Sequence, residues 1–257
     1  MTSIKPFTDM CDWELKTGSH EWPGPSGGTC INEAAIVAAG FAYKSISSAS
    51  GCPPCFSPAI SAYLIGINDA MDHAQRQKLM RFVTRLSGSA DTPAVEQQRL
   101  KYIVIETVRR ILSMTLGAAG FCDDAAACRA VCTIGDAVVV SAIANGHLAA
   151  ASNARYRDTY NTAKSAYDAA FAAQGGSMGS ESTQAAIGCA IYAVRAAFVT
   201  GHEAAKKADA AKAVIYDHCI AIAEGALAIG NQATDIDAAL VVARMNAIPI
   251  SKAALAG

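Results

Sequence analysis

The chain has 257 residues, 52% of them hydrophobic, which is enough to bury a core without metals or disulfides. Its formal net charge of −1 supplies no global field for nucleic acid or an anionic membrane. Only 7% of residues are aromatic, and the apolar fraction leans on alanine, the best helix former, so the expected class is all-α with helices packed on small side chains.

Residues 1–28 have no regular period, because Gly18, Pro23, Gly24, Pro25, Gly27 and Gly28 interrupt it. Met1 to Lys16 carries Lys5, Asp9, Asp12 and Glu14 and does not read as a secretory signal. Thr29 is placed to cap a helix from about Cys30 to Ala39, with Gly40 as its stop. A serine-rich loop over 44–56 ends in Cys52-Pro53-Pro54-Cys55. Ser57 then caps and Pro58 takes the first helical position, where a missing N–H costs nothing. Ile60, Tyr63, Leu64 and Ile67 share one face of that helix, which ends near Asn68-Asp69. The spacing predicts an amphipathic helix from Asp72 to Leu86, stopped at Ser87-Gly88.

Thr92-Pro93 opens the clearest helical period, with Leu100, Ile103, Val104, Val108, Ile111, Leu112 and Thr115 in one stripe, ended by Gly117 and Gly120. A short helix, Asp123 to Cys132, follows. Beyond residue 136 the chain is alanine-rich and has no proline until Pro249. Long helices are predicted over 136–173, 181–229 (bent at Gly201) and 233–246, paired antiparallel across Gly175-Gly176. The expected division is therefore a compact N-terminal helical module, 1–134, followed by an alanine-rich helical hairpin or bundle, 135–257. Tyr156, Tyr160, Tyr167 and Phe171 fall on one helix face and are expected to form a core seam, the other reading being an aromatic partner surface. Ala137 to Ala154 comes closest to a membrane span, but Ser141, Asn145, Gly146, His147, Ser152 and Asn153 make it a helix of a soluble protein.

The nine cysteines are odd in number and no export signal is visible, so reduced thiols in a cytoplasm are expected. Five residues could build a polar site: His20, Cys30, Glu33, Asn68 and Asp69. A thiol, an imidazole and carboxylates supply a nucleophile, a base and an orienting group. The competing reading gives the same residues structural work, tying loop N–H groups and helix ends. Cys52-x-x-Cys55 is half of a zinc ligand set that His20 and Cys30 could complete, so zinc is the one cofactor considered. The same pair could act as a redox dithiol. Cys122, Cys128 and Cys132 could hold a soft metal or simply be buried. Between His73 and Arg110, eight lysines and arginines face three carboxylates, and the expected role is a solvated helix face rather than a phosphate-binding one.

Gly18-Ser19-His20, Cys30-Ile31-Asn32-Glu33-Ala34, Cys55-Phe56-Ser57-Pro58 and Asn68-Asp69 occur in that order, followed by Arg85-Leu86-x-Gly88 and Glu96-x-x-Arg99. This resembles a family of uncharacterised bacterial and phage proteins with G-S-H, C-x-x-E-A, C-x-P and N-D motifs and an alanine-rich helical tail. The resemblance implies that His20, Cys30, Glu33, Cys55, Asn68 and Asp69 belong to one pattern, and it brings no reaction with it. The chain departs from that pattern at Cys52-Pro53-Pro54, where the family commonly has an acidic residue or histidine. No P-loop, dinucleotide fingerprint, nucleophile elbow or H-E-x-x-H is present. The expected function is a helical interaction or assembly protein that self-associates or binds a protein partner. The alternative is an enzyme or metal-binding protein using residues 20–69.

Overall fold

The structure is a computed structural model, and it describes residues 13–20, 28–151, 156–174, 188, 191, 205–230 and 234–247. The helices in chain order are α1 (Ile31–Ala38), α2 (Pro58–Ala70), α3 (His73–Gln77), α4 (Pro93–Glu106), α5 (Ser113–Ala119), α6 (Cys122–Arg129), α7 (Ile134–Ala151), α8 (Arg157–Gln174), α9 (Ala205–Leu227) and α10 (Ala238–Asn246). Short 3-10 turns cover Ala49–Gly51 and Lys78–Phe82, and a π-helical turn covers Thr107–Leu112. Among the described residues there is no strand, only an isolated bridge between Leu15 and Thr29. The fold is all-α.

Two compact units are formed, one from Met1–Asp91 with Gly230–Gly257, the other from Thr92–Ile229. The division expected near residue 134 differs: the first boundary falls at the Thr92 cap, and the last segment returns to the first unit.

In the first unit all eight residues of α1 are buried, so α1 is its central helix. It packs against α2 and α10. Its start is capped by Cys30 rather than Thr29. At its end Gly40 takes φ +88°, and Arg244 of α10 donates to the Ala38 carbonyl at 2.6 Å. Ser57 accepts from the Ile60 N–H, and Pro58 opens α2 as expected. The predicted helix Asp72–Leu86 is not continuous. Asp72 caps only α3, and the chain then tightens into 3-10 geometry that buries Leu79, Met80 and Phe82. Arg76 explains the early break. Its guanidinium donates to the carbonyls of Asn68 (2.6 Å) and Met71, joining α3 to the end of α2.

In the second unit α4, the π-turn and α5 form one long helical run with Thr92 and Pro93 at its start and Gly120 (φ +91°) at its end. The span predicted as one helix over 136–173 is two, α7 and α8, and these pack along each other. The predicted turn at Gly175-Gly176 and the bend at Gly201 lie outside the described residues. The aromatic stripe is not the core seam. The buried face of α8 is Thr159, Thr162, Ala163, Ala166, Ala169, Ala170 and Ala173, and the tyrosines flank it. Phe171 is 60% exposed and stacks on Tyr167, while Tyr156 meets Phe121 edge to face. Small side chains take the seam because they let the two helices approach closely, which leaves the rings outside.

The basic stretch is also not a uniform solvated face. Arg76 is buried, and Arg99 is fully buried with its guanidinium on Glu96 (2.6 Å) and on the Ile229 carbonyl (3.0 and 2.8 Å). Arg109 and Arg110 both bind the buried Glu106, at 2.8 and 2.5 Å. Arg76 and Arg99 thus hold backbone carbonyls within their own units, while Arg109 and Arg110 stay partly exposed and pair with Glu106 along the same helical run.

Candidate functional site

Three of the sequence blocks meet around the first turn of α1. Glu33, at the third position of that helix, is fully buried, so its oxygens need donors. One oxygen accepts from the backbone N–H of His20 (3.1 Å) and Ile46 (3.1 Å) and from the Ser19 hydroxyl (3.3 Å). The other accepts from the Cys30 N–H (2.8 Å) and the Thr29 hydroxyl (3.4 Å). The Cys30 sulfur in turn accepts from the Glu33 N–H at 3.5 Å, which completes a capping box with a thiol in the place usually held by Ser or Thr.

Asn68 works from the other side. Its Oδ1 accepts from the Ile31 N–H (3.3 Å), and its Nδ2 donates to the Lys16 carbonyl (2.9 Å) and to Asp69 (3.1 Å). Asp69 accepts from the Gly18 N–H at 2.8 Å. Gly18 has φ +82°, so the loop turns there in a conformation that suits glycine. Gly18-Ser19-His20, Cys30 to Glu33 and Asn68-Asp69 are therefore one hydrogen-bonded hub, with His20, Cys30, Glu33, Asn68 and Asp69 all within it.

The chemistry of the hub follows from its burial. The Cys30 thiol is pushed up to about 12, first by desolvation and then by the Glu33 charge, so it stays protonated at neutral pH. A protonated thiol is a poor nucleophile. Glu33 has five donors on two oxygens and can serve as a base only if the loop is released. Tyr43 closes the hub by donating to the His20 carbonyl at 2.5 Å, and burial with the neighbouring Glu33 charge raises its phenol well above its ordinary value. Nothing in the spacing of the sequence marks Tyr43, because it reaches the hub from an irregular loop.

Cys52 and Cys55 stand apart from this arrangement. The Cys55 carbonyl accepts from the Ala90 N–H, and Ser57 N–H donates to the Ser89 hydroxyl, so this block is tied to the loop before Thr92. Among the described residues no three His, Cys, Asp or Glu side chains gather as a metal-ligand set, and that includes His20, Cys30, Cys52 and Cys55. In the second unit, Cys128 is buried and its thiol is raised to about 12 by desolvation, whereas Cys122 and Cys132 are exposed.

Among the described residues of the first unit, four buried polar atoms have no hydrogen-bond partner: His20 Nε2, Asn32 Oδ1, Ser61 Oγ and Gln75 Oε1. Sequence reading marked only the first. Asn32 and Ser61 become visible once α1 and α2 are packed, because Asn32 Nδ2 donates to the Ser61 carbonyl at 2.9 Å. The chain matches no family model, no curated protein and no solved structure.

Proposed function

We propose that this chain is a helical interaction protein that self-associates through the outward face of α7. The observation that carries the reading is an apolar face of α7 that stays exposed among the described residues. Ala137, Ser141, Ala144 and Leu148 turn inward, while Val139 and Ile143 are 57% and 49% exposed. Val139, Ile143, Gly146 and Ala150 are spaced four, three and four residues apart, which is the seam spacing of paired helices. A Cβ built on Gly146 meets nothing within 4 Å, so a second helix can come close there. A second copy supplies the same stripe, and a two-fold antiparallel pair would align the helix dipoles favourably.

By length and composition α7 would also be long and apolar enough to cross a membrane, and 22% of it is buried. Sedimentation of the full chain with and without Ile143→Glu separates the cases. Self-association predicts a dimer or larger species that falls to the single-chain mass in the variant. A single-chain mass for the unaltered protein at micromolar concentration overturns it, as does a protein that is single-chain in detergent and inserts in vesicles.

The second reading, an enzyme or a zinc protein at residues 20–69 in a cytoplasmic setting, is supported by the unpartnered His20 Nε2. Native mass spectrometry on protein purified without chelator tests it. A bound metal ion lost on His20→Ala would favour this reading, and an apo mass would count against a zinc site.

A further inference from the structure

The long helical run of the second unit is interrupted at the π-helical turn Thr107–Leu112. A π-turn gives up the regular bonding pattern, and such turns are frequent where a helix carries a site. Its two basic residues, Arg109 and Arg110, lean back on Glu106, which is buried. Two guanidinium groups therefore share one carboxylate, and one positive charge is left over. The arginine side chains are 45% and 38% exposed, so that charge is open to solvent from a partly walled position. Donors are left over as well. Arg110 spends only Nε on Glu106, and among the described residues its two Nη groups make no hydrogen bond. Arg109 spends Nη1 on Glu106 and Nε on the Arg129 carbonyl at 3.4 Å, which leaves Nη2. A guanidinium edge matches two oxygens of one phosphate.

Helix α9 brings the third group. It packs on α4 and on the π-turn. Two contacts fix its direction. The Arg99 guanidinium holds the Ile229 carbonyl, and Tyr102 lies over Gly225, where a Cβ would be 1.9 Å from Oη. The two helices therefore run antiparallel. Arg109 lies seven residues beyond Tyr102 and His218 seven before Gly225, each about 11 Å along its helix and on the same face as its marker. His218 thus sits level with Arg109 and Arg110. It is half-buried and makes no hydrogen bond among the described residues. Burial and then the Arg110 charge lower its imidazole, in keeping with that placement.

We propose that Arg109, Arg110 and His218 form a binding site for the phosphate monoester of a small soluble molecule. The Nη groups take the phosphate oxygens edge-on, His218 adds a ring N–H, and Glu106 fixes where the two guanidiniums point. Because both arginine side chains are less than half exposed, a compact ligand reaches them more readily than a flat membrane surface does.

The test titrates inorganic phosphate into the full chain at fixed pH and ionic strength, read by NMR at the arginine Nε–H and histidine ring signals. Arg109, Arg110 and His218 should shift together and saturate, while the exposed Arg157 stays unchanged. Acetate at the same ionic strength should give no saturation. Arg110→Gln should weaken phosphate binding about tenfold or more, and His218→Gln a few-fold. If Arg110→Gln fails to fold by circular dichroism, Arg110→Lys replaces it, since it keeps the charge and loses the fork, and weakening is still expected. The inference is overturned if phosphate gives no saturable shift at these three residues, if Arg157 or acetate responds equally, or if the variants bind as the parent does. Flotation with phosphatidylcholine vesicles containing phosphatidic acid covers a lipid source. The chain should stay unbound, and binding that the Arg110 variant abolishes would overturn the soluble ligand.

Discussion

Replacing Glu33 by glutamine separates a structural hub from a catalytic one. The change keeps the shape of the side chain and turns one acceptor oxygen into an NH2 donor. Whichever way the amide is set, that donor faces others. On one side are the Cys30 N–H at 2.8 Å and the Thr29 hydroxyl. On the other are the N–H groups of His20 and Ile46, both at 3.1 Å. The less costly choice sacrifices Cys30, because the Thr29 hydroxyl can rotate and accept. One charge-assisted bond is then lost, worth about 1.5–3 kcal/mol, and a buried N–H is left without an acceptor, at about 1–3 kcal/mol more. A loss of about 3–5 kcal/mol is expected in the first unit. The assay is urea unfolding combined with amide hydrogen exchange, since the two units need not unfold together. The His20, Cys30 and Ile46 amides should lose protection together while the amides of α7 and α8 keep theirs. A loss below about 1 kcal/mol with those three amides still protected would refute the reasoning.

Cys30→Ser is expected to leave stability within about 1 kcal/mol of the parent, because serine is a better helix cap than cysteine, and thermal melts would check it. Arg99→Met strips Glu96 and the Ile229 carbonyl of buried donors and should cost about 3–5 kcal/mol, with much of the loss recovered by adding Glu96→Leu. Denaturant midpoints of the single and double variants test that coupling. A Cβ at Gly225 would lie 1.9 Å from Tyr102 Oη, so Gly225→Ala should cost about 1–3 kcal/mol by displacing that ring. The same substitution in a Tyr102→Ala background should cost clearly less, which a double-mutant cycle would read. His218 is held below its ordinary value of 6.5, first by desolvation and then by Arg110. The unfolded chain therefore binds the extra proton first, and stability of the second unit should fall as pH drops through 6.5 toward the lower folded value. His218→Gln should flatten that slope in melts recorded from neutral to acidic pH.

Much of the local structure was legible because it depends on residues close in sequence. Ser57 with Pro58, Thr92 with Pro93 and the glycines Gly40 and Gly120 set helix ends through their own backbone preferences, and the structure uses each of them. The alanine-rich composition likewise carried the all-α class. His20, Cys30, Glu33, Asn68 and Asp69 were identifiable as one group, since polar residues at loop–helix junctions are conspicuous. What they do there was not identifiable, because saturation of the Glu33 carboxylate depends on the Ile46 N–H from a separate loop. The helix predicted from Asp72 to Leu86 failed for a related reason: Arg76 reaches back to carbonyls that a continuous period cannot reveal. The aromatic stripe of α8 was read from spacing as core, but spacing says only that residues share a face. Which face is buried is decided by the neighbouring helix, and α7 meets the alanines. The bond from Asn32 to the Ser61 carbonyl belongs to the same class, since two segments far apart in the chain come together only when α1 packs on α2. The sequence by itself determined the helices and their ends through short-range backbone physics. Burial, polar saturation and the exposure of Val139 and Ile143 on α7 were decided by tertiary packing, because each depends on what lies across from a side chain rather than beside it in the chain.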